Sequence, residues 1–589
     1  MYPLEASSDT RINWKKSLLE SRMANHLLYG DNLSVLRDGV KEETIDLVYL
    51  DPPFNSNATY SLLFKSPAGE HSKAQIEAFE DTWHWNERAE CAFDEVMKSG
   101  NTEVAELLRA LRSFLKENDV MAYLVMMTVR LLELHRVLKP TGTLCLHCDP
   151  TASHYLRLLL DSIFGPKQFL NEIIWKRSSA HSDAKQGMKR CGRIHDVLLL
   201  YSKTDEYTWN TLYTPYTDGY LESEYKHVAL DGRRYKETDL TAAKPGGDTE
   251  YDWHVKCLGS PKARWEADLD DEYKNPKAEY KYKAVHPYRN RFWAYSKANM
   301  IQFAQDGCLI HRSTGVPRLI QYEADMPGIG LQDLWDDIPP VAGNEDLGYP
   351  TQKPLALLER IIGALSNEGD MVLDPFCGCG TAVHAANKLR RNWMGIDITH
   401  LAISLIEKRL RDAFPGVAFD IHGTPKDLEG ARALAVQDKY QFQWWAVSLV
   451  DAVPYKGKKK GADGGIDGHI YFKPDGKTTE KAIVSVKGGD NVGVAMVREL
   501  GHVVDTEKAK IGVLITLAKP TEPMQTEAVT ARYYETPYGR YPKLQLLTIA
   551  ELFEGKKPNI PLVDPTAFKK ANIEVMTEQN LLFNPPKKI

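Results

Sequence analysis

At 589 residues, with 43% hydrophobic and 26% charged residues, the chain has the composition of soluble globular protein and the length of about three or four structural units. Collagen-like, mucin-like and wholly disordered readings are excluded, and the net charge of −6 argues against a protein that coats nucleic acid indiscriminately. Eight cysteines are too sparse for a disulfide scaffold and do not form paired zinc spacings. The polar opening Met1–Lys16 has no apolar run of the secretory kind, so a reduced, cytoplasmic enzyme is expected.

From about 25 to 200 short apolar runs alternate with helical patterns: strand Ile45–Leu50, helix Ala122–Leu138, strand Thr143–His147, helix His154–Phe164 and strand Val197–Tyr201. Such alternation predicts an open, mainly parallel α/β sheet. The most apolar long stretch, Val120–Leu138, is broken by Arg130, Glu133, His135 and Arg136, which suits a buried helix rather than a membrane span. Between about 205 and 340 the period is lost in favour of Tyr, Trp, Gly and charge, as expected of an inserted module with irregular strands. Alternation then returns with helix Leu355–Leu365, strand Met371–Leu373, helix Thr381–Leu389, strand Trp393–Ile396 and helix Leu401–Leu410. Gly and Pro mark 415–439 as a connector. The remainder has its own strands (Ile466–Phe472, Ala482–Val486, Ile511–Thr516) and its own helix near Val494–Val504.

Two places carry chemistry in the α/β part. The strand Ile45–Leu50 ends in Asp51-Pro52-Pro53-Phe54, and ligands in open α/β sheets bind beyond the carboxyl ends of strands. Two prolines donate no N–H, so the turn presents acceptors: the Asp51 carboxylate and the Pro52 carbonyl could each take one hydrogen of an exocyclic amine, beside the flat face of Phe54. The second place is Asp374-Pro375-Phe376-Cys377-Gly378-Cys379-Gly380, a glycine loop between strand and helix, with Asp397 ending the following strand. Glycines admit close backbone approach, and an acid at that distance suits a ribose diol. Val383 at the third glycine position weakens the dinucleotide reading, and spacing alone leaves the cofactor open.

Two basic runs accompany these motifs: Lys176, Arg177, Lys185, Lys189, Arg190, Arg193 and Lys203, and the Lys456, Lys458, Lys459, Lys460 cluster. Beside such chemistry they point to phosphate contacts more than to a plain solvated face. His147 and Cys148 lack a metal partner set and read as a satisfied strand end. The pairs Trp83/Trp85 and Trp444/Trp445 read as packing. Arg233-Arg234-Tyr235 and Arg289-Asn290-Arg291 are candidates for contacts to bases or phosphates.

The Asp51-Pro52-Pro53-Phe54 and Asp374–Gly380 motifs resemble the catalytic and cofactor motifs of S-adenosylmethionine-dependent DNA amino-methyltransferases, in the permuted order of the beta class. Tyr29-Gly30-Asp31-Asn32, Leu138–Thr143, Asn171–Trp175 and Tyr349-Pro350-Thr351-Gln352-Lys353-Pro354 resemble that family's further motifs. The resemblance implies a Rossmann-like sheet binding S-adenosylmethionine: Asp51 and Pro52 on the target amine, Pro53 in the same turn, and Phe54 stacked on a flipped base. It further implies Asp374 in the cofactor site, Phe376, Gly378 and Gly380 around the methionine end, Asp397 on the ribose and Asp31 near the adenine. Cys377 and Cys379 are then small loop residues rather than nucleophiles. Asp at the head of the motif favours N6 of adenine, with N4 of cytosine as the alternative; RNA or protein-amide methylation is disfavoured by the insert and the tail.

In the tail, Asp467 on one strand and Lys487 at the end of the next suit a metal-dependent phosphodiesterase with Mg²⁺ on Asp467. This part resembles the Mrr-like branch of PD-(D/E)XK restriction nucleases, with one departure: Ser485 stands where that branch has Glu or Gln. The expected organisation is a methyltransferase amino-terminal part at 20–204, a target-recognition insert at 205–340, a methyltransferase carboxyl-terminal part at 341–414, a connector at 415–439 and a smaller restriction-endonuclease-like α/β domain at 440–563. Double-stranded DNA is the expected partner, with a second copy or a restriction-modification partner beside it, and no membrane. A restriction enzyme cutting through the tail, or a DNA-binding protein with a dead nuclease fold, are the rivals.

Overall fold

The computed structural model describes residues 21–561 except 22, 54–58, 66–70, 81–83, 179–188, 190, 260–263, 276, 278–279, 344, 348, 350, 456–464 and 476–477, together with Trp14, Leu18 and Glu574. Phe54, Trp83, Lys185, Arg190 and the 456–460 lysine cluster therefore lie outside the described residues.

The described residues divide into two compact units, one formed by those up to 210 and from 332 on, the other by 211–331. A nine-stranded sheet organises the first. Its strands are β1 (His26–Tyr29), β2 (Ile45–Leu50), β3 (Leu138–Cys148), β4 (Phe169–Lys176), β5 (His195–Ser202), β6 (Leu334–Trp335), β7 (Met371–Asp374), β8 (Asn392–Asp397) and β9 (Asp420–His422). They lie in the order β6-β4-β5-β3-β2-β7-β8-β1-β9. β5 runs antiparallel to both neighbours, while the other pairings are parallel. The mainly parallel sheet expected from the alternation is thus present. Its strands are almost wholly apolar because helices cover both faces.

Among those helices are α1 (Asn32–Gly39), α2 (Asp119–Val137), α3 (Leu355–Leu365), α4 (Thr381–Lys388) and α5 (His400–Ala413). The apolar helix α2 buries Met121, Leu124, Val125, Leu131 and Leu134 completely in the sheet's core. It packs as a core helix, and among the described residues no helix is long and apolar enough to cross a membrane.

The segment expected to be a connector carries structure. β9 adds the last strand to the sheet, pairing His26↔Asp420 and Leu28↔His422. It is followed by α6 (Leu428–Gln437), whose Ala431 and Leu434 are buried in the core of the carboxyl-terminal module. Gly423 and Pro425 end the strand and introduce the helix; they mark a short turn inside 415–439 rather than a linker along its length. The module continues with α7 (Lys439–Ser448), β10 (Val453–Pro454), β11 (Gly468–Phe472), β12 (Glu480–Lys487), α8 (Val494–Thr506), β13 (Ile511–Thr516) and β14 (Leu544–Thr548). Its strands form one five-stranded sheet in the order β10-β11-β12-β13-β14. One face packs on α6 and α7, and the other on α8.

The second unit holds short antiparallel sheets around Leu240, Trp253, Val255, Trp293 and Met300, the irregular strands expected of the insert. In it Arg233 lies over the Tyr322 ring, 3.8 Å from its centroid, and Arg291 donates to Thr241.

If α6 belongs to the carboxyl-terminal core, Leu434→Ala should destabilise that module by about 2–5 kcal/mol. Thermal unfolding checks this; a side chain on a mere connector would shift the transition hardly at all.

Candidate active site

The site follows from one strand pairing. β2 and β7 lie side by side in parallel, with Leu47↔Val372 and Val48↔Leu373 in register. Asp51 and Asp374 therefore leave the sheet at the same edge, at the point where the strand order reverses. They share a cavity of about 230 Å³ with Asp31, Pro53, Phe376, Gly378 and Asp397. Pro52 is buried beneath the turn, and Gly380 is not a lining residue.

Crowded carboxylates need a counter-charge, and Lys353 supplies it. Its Nζ donates to Asp51 Oδ2 at 2.5 Å, with both side chains largely buried. Lys353 lies in the Tyr349–Pro354 segment, where its sequence position alone assigns it no role. The signal was indirect: acids converging on one pocket demand a cation. Asp374 shows why, since burial, reinforced by the Asp51 and Asp397 charges, pushes its carboxyl well above the ordinary range. Its Oδ1 accepts the Phe376 N–H at 3.0 Å.

Asp397 Oδ2 accepts the Gly378 N–H at 3.0 Å, and its Oδ1 accepts both the N–H and the hydroxyl of Thr399 at 2.8 Å. Burial raises this carboxyl to about 6. Across the cavity, Asp31 caps α1 and is held by Arg130 at 3.0 Å. Arg130 also donates to Asn32 Oδ1 at 2.7 Å, and Asn32 Nδ2 donates to the Pro375 carbonyl at 2.9 Å. A buried arginine of α2 thereby ties the amino-terminal part of the site to the glycine loop. Cys377 and Cys379 are buried, and burial pushes both thiols up. They are poor nucleophiles in this setting.

Behind Asp51 runs a buried polar chain. The Tyr49 hydroxyl meets His147 Nδ1 at 3.0 Å, His147 Nε2 meets Asp196 Oδ2 at 3.1 Å, and Arg177 Nε pairs with Asp196 Oδ1 at 3.0 Å. Burial alone would raise the Asp196 carboxyl; hydrogen bonding to His147 and the nearby Lys353 and Arg177 charges bring it below the ordinary value. His147 is thus a satisfied strand end, and Arg177 of the basic run is spent on an internal ion pair.

In the carboxyl-terminal module, the Asp467 N–H donates to the Val484 carbonyl at 2.8 Å, and Asp467 Oδ2 accepts the Val486 N–H at 2.6 Å. Asp467 thus stands beside the end of β12, which carries the buried Ser485 and the half-buried Lys487. Trp445 is buried in this module's core, and Trp444 packs against Tyr349 and Cys379 of the cavity wall.

Residues 45–408 match the model of a family described as DNA methylase, and 435–554 match one described as restriction endonuclease. The chain belongs to the DNA methylase family. This DNA methylase is 27% identical over 390 residues to type II methyltransferase M.EcaI of Enterobacter cloacae, covering 66% of this chain and 69% of that one. To the StyLTI Mod subunit, a type III restriction-modification enzyme of Salmonella typhimurium, it is 25% identical over 397 residues. That match covers 63% of this chain and about half, 51%, of the relative. The solved M1.HpyAVI–SAM complex aligns with 65% of this chain and 98% of that one at 14% identity and a TM-score of 0.29.

Gly380 holds φ +76°, and a Cβ there would stand 2.7 Å from Ile406 Cγ1. Gly380→Ala in the methylase should therefore cost about 1–3 kcal/mol of stability, read as a lowered melting temperature.

Proposed function

We propose that this DNA methylase transfers the methyl group of S-adenosylmethionine to N6 of adenine in double-stranded DNA, as the modifying arm of a restriction-modification system. The observation that carries the reading is the single cavity joining Asp51 to Asp397 and the glycine loop. Its residues fit the cofactor. Asp397 and Asp31 offer acceptors for a nucleoside, Phe376 and Leu358 give apolar walls, and Gly378 brings backbone to the cavity surface. When bound, the cofactor supplies an electrophilic methyl group.

The chain's own residues do the rest. The Asp51 carboxylate, fixed and charge-balanced by Lys353, accepts one hydrogen of the target amine, and the Pro52 carbonyl accepts the other. The amine nitrogen is thereby oriented toward the interior of the cavity, which is orientation rather than covalent catalysis. A base stacked in a duplex cannot reach this recess, so the nucleotide is extruded at a cost of a few kcal/mol. Pro53, the buried Tyr49–His147–Asp196 chain and Arg130 keep the acceptor turn and the glycine loop in register. The unit at 211–331 is read as the sequence-recognition part, with Arg233 and Arg291 among its cationic groups.

The carboxyl-terminal module is read as a DNA-cleaving unit. Asp467, beside β12, and Lys487, at the end of β12, are the kind of pair a metal-assisted hydrolysis of phosphodiesters would use. A divalent cation such as Mg²⁺ would sit on Asp467.

Asp51→Ala should lower methyl transfer to plasmid DNA by roughly 100-fold or more while leaving cofactor affinity close to wild type, measured with radiolabelled cofactor and by equilibrium binding. Nucleoside analysis of the product should show N6-methyladenine; N4-methylcytosine would correct the target. A second outcome concerns pH. With its carboxyl raised to about 6, Asp397 loses the charged acceptor as pH falls through that value, so cofactor affinity should weaken there. For folding the sign is opposite: the buried charge costs stability above pH 6, and that cost is relieved between about 6 and the ordinary 3.8. Cofactor titrations through about pH 6 and melting curves between pH 3.8 and about 6, the window spanned by that shift, check both.

A further inference from the structure

Helix α7 (Lys439–Ser448) lies inside 435–554, the segment similar to restriction endonucleases, yet it packs on both modules of its unit. Phe442, Trp445, Ala446 and Val447 are buried in the carboxyl-terminal core. Gln441 and Trp444, three residues apart and hence neighbours on the helix surface, are half-buried and meet the methylase side instead.

Trp444 reaches the glycine loop through Tyr349. With Leu401 and Leu405 of α5, it packs on Tyr349 and Cys379, both of which line the recess. Tyr349 is 8% exposed, and its ring carbon Cε1 lies 3.3 Å from where a Cβ on Gly378 would be. The backbone of Gly378, whose N–H donates to Asp397 at 3.0 Å, is thus backed by the tyrosine ring, and the ring by Trp444. Deleting the indole would leave a cavity behind Tyr349, and a loosely backed ring no longer fixes the loop.

Gln441 acts on the turn that presents Asp397. Its Oε1 accepts the His400 N–H at 3.2 Å, one of the first-turn N–H groups of α5 that have no partner within the helix. The preceding residue, Thr399, caps α5 and donates twice to Asp397 Oδ1. The His400 ring stacks on Tyr29 with centroids 3.5 Å apart, and Tyr29 pairs with Asp397 between β1 and β8. The turn is therefore pinned by the sheet through Tyr29 and by α7 through Gln441.

We infer that Trp444 and Gln441 are positioning residues of the cofactor recess, so that binding of S-adenosylmethionine and the seating of α7 are linked. Neither residue lines the recess itself; each acts through a residue of the methylase part. The linkage is reciprocal by thermodynamic necessity: what α7 adds to cofactor affinity, bound cofactor returns as stability of α7. The carboxyl-terminal module thereby responds to whether the methyl donor is loaded. This deepens the reading of the recess as the S-adenosylmethionine site and rests on that reading.

The test uses the full-length protein and S-adenosylhomocysteine, with affinity measured by calorimetry below the melting transition of every variant. Trp444→Ala is expected to weaken binding about five- to tenfold, the low end of ordinary coupling between sites, and Trp444→Phe to restore most of it. Gln441→Ala, a gentler change, is expected to weaken binding as well. Leu434→Ala, a change in the module's core at a residue that does not line the recess, is expected to lower the melting temperature and leave affinity unchanged. In steady-state methyl transfer, Trp444→Ala should raise KM for the cofactor and leave KM for DNA as it is. Amide hydrogen exchange across 439–448 should slow when wild type is saturated with S-adenosylhomocysteine. Wild-type affinity in both Trp444→Ala and Gln441→Ala, or wild-type exchange that the ligand leaves unmoved, overturns the linkage while the cofactor reading stands. Equal weakening in Leu434→Ala and Trp444→Ala marks a general effect of module stability and also overturns it. If folded wild type binds no S-adenosylhomocysteine, the cofactor reading and the linkage fall together.

Discussion

The parallel pairing of β2 with β7 is the constraint on which the rest depends. The chain departs from β2 toward β3 and from β7 toward β8, so connections peel away in opposite directions and leave a crevice at the carboxyl ends. Residues more than 300 positions apart in the chain are thereby made neighbours: the Lys353–Asp51 ion pair spans 302 positions, and the Asn32–Pro375 hydrogen bond spans 343. Distance along the chain is no obstacle to a shared site, because the sheet and not the sequence sets adjacency.

Bringing Asp51, Asp374 and Asp397 into one recess creates an electrostatic problem that two buried cations answer. Lys353 is placed against Asp51, and Arg130 against Asp31. A third buried cation, Arg409 of α5, donates to the Cys379 carbonyl at 3.0 Å and the Thr381 hydroxyl at 3.1 Å, fixing the glycine loop from behind. These contacts hold acceptors in fixed positions before any ligand arrives, which is how an orienting site lowers a barrier without forming a covalent bond to its substrate. The loop is braced from the carboxyl-terminal module as well: Trp444 of α7 packs on Tyr349 and Cys379, and Gln441 accepts the His400 N–H at 3.2 Å.

Local patterns carried much of this architecture. The strands Ile45–Leu50 and Ile511–Thr516 and the helix Leu355–Leu365 stand where their periodicity places them. The acids that end β2, β7 and β8 meet where the open-sheet rule puts ligands. What stayed illegible was whatever depends on distant partners. Lys353 and Arg130 are ordinary charged residues by composition, and only the fold shows what each faces. The segment 415–439 misled because Gly423 and Pro425 punctuate it strongly, while the pairing of β9 with β1 and the burial of Leu434 are tertiary facts. Arg177 likewise read as one of a basic run until the fold placed it on Asp196.

The account stands on one recess serving both the acceptor turn and the glycine loop. A crystal structure of the full-length protein with S-adenosylhomocysteine tests it most directly. The ligand is expected between Asp397 and Phe376, with its sulfur facing Asp51. Density for the ligand at any other place in the molecule, with this recess empty, would contradict it.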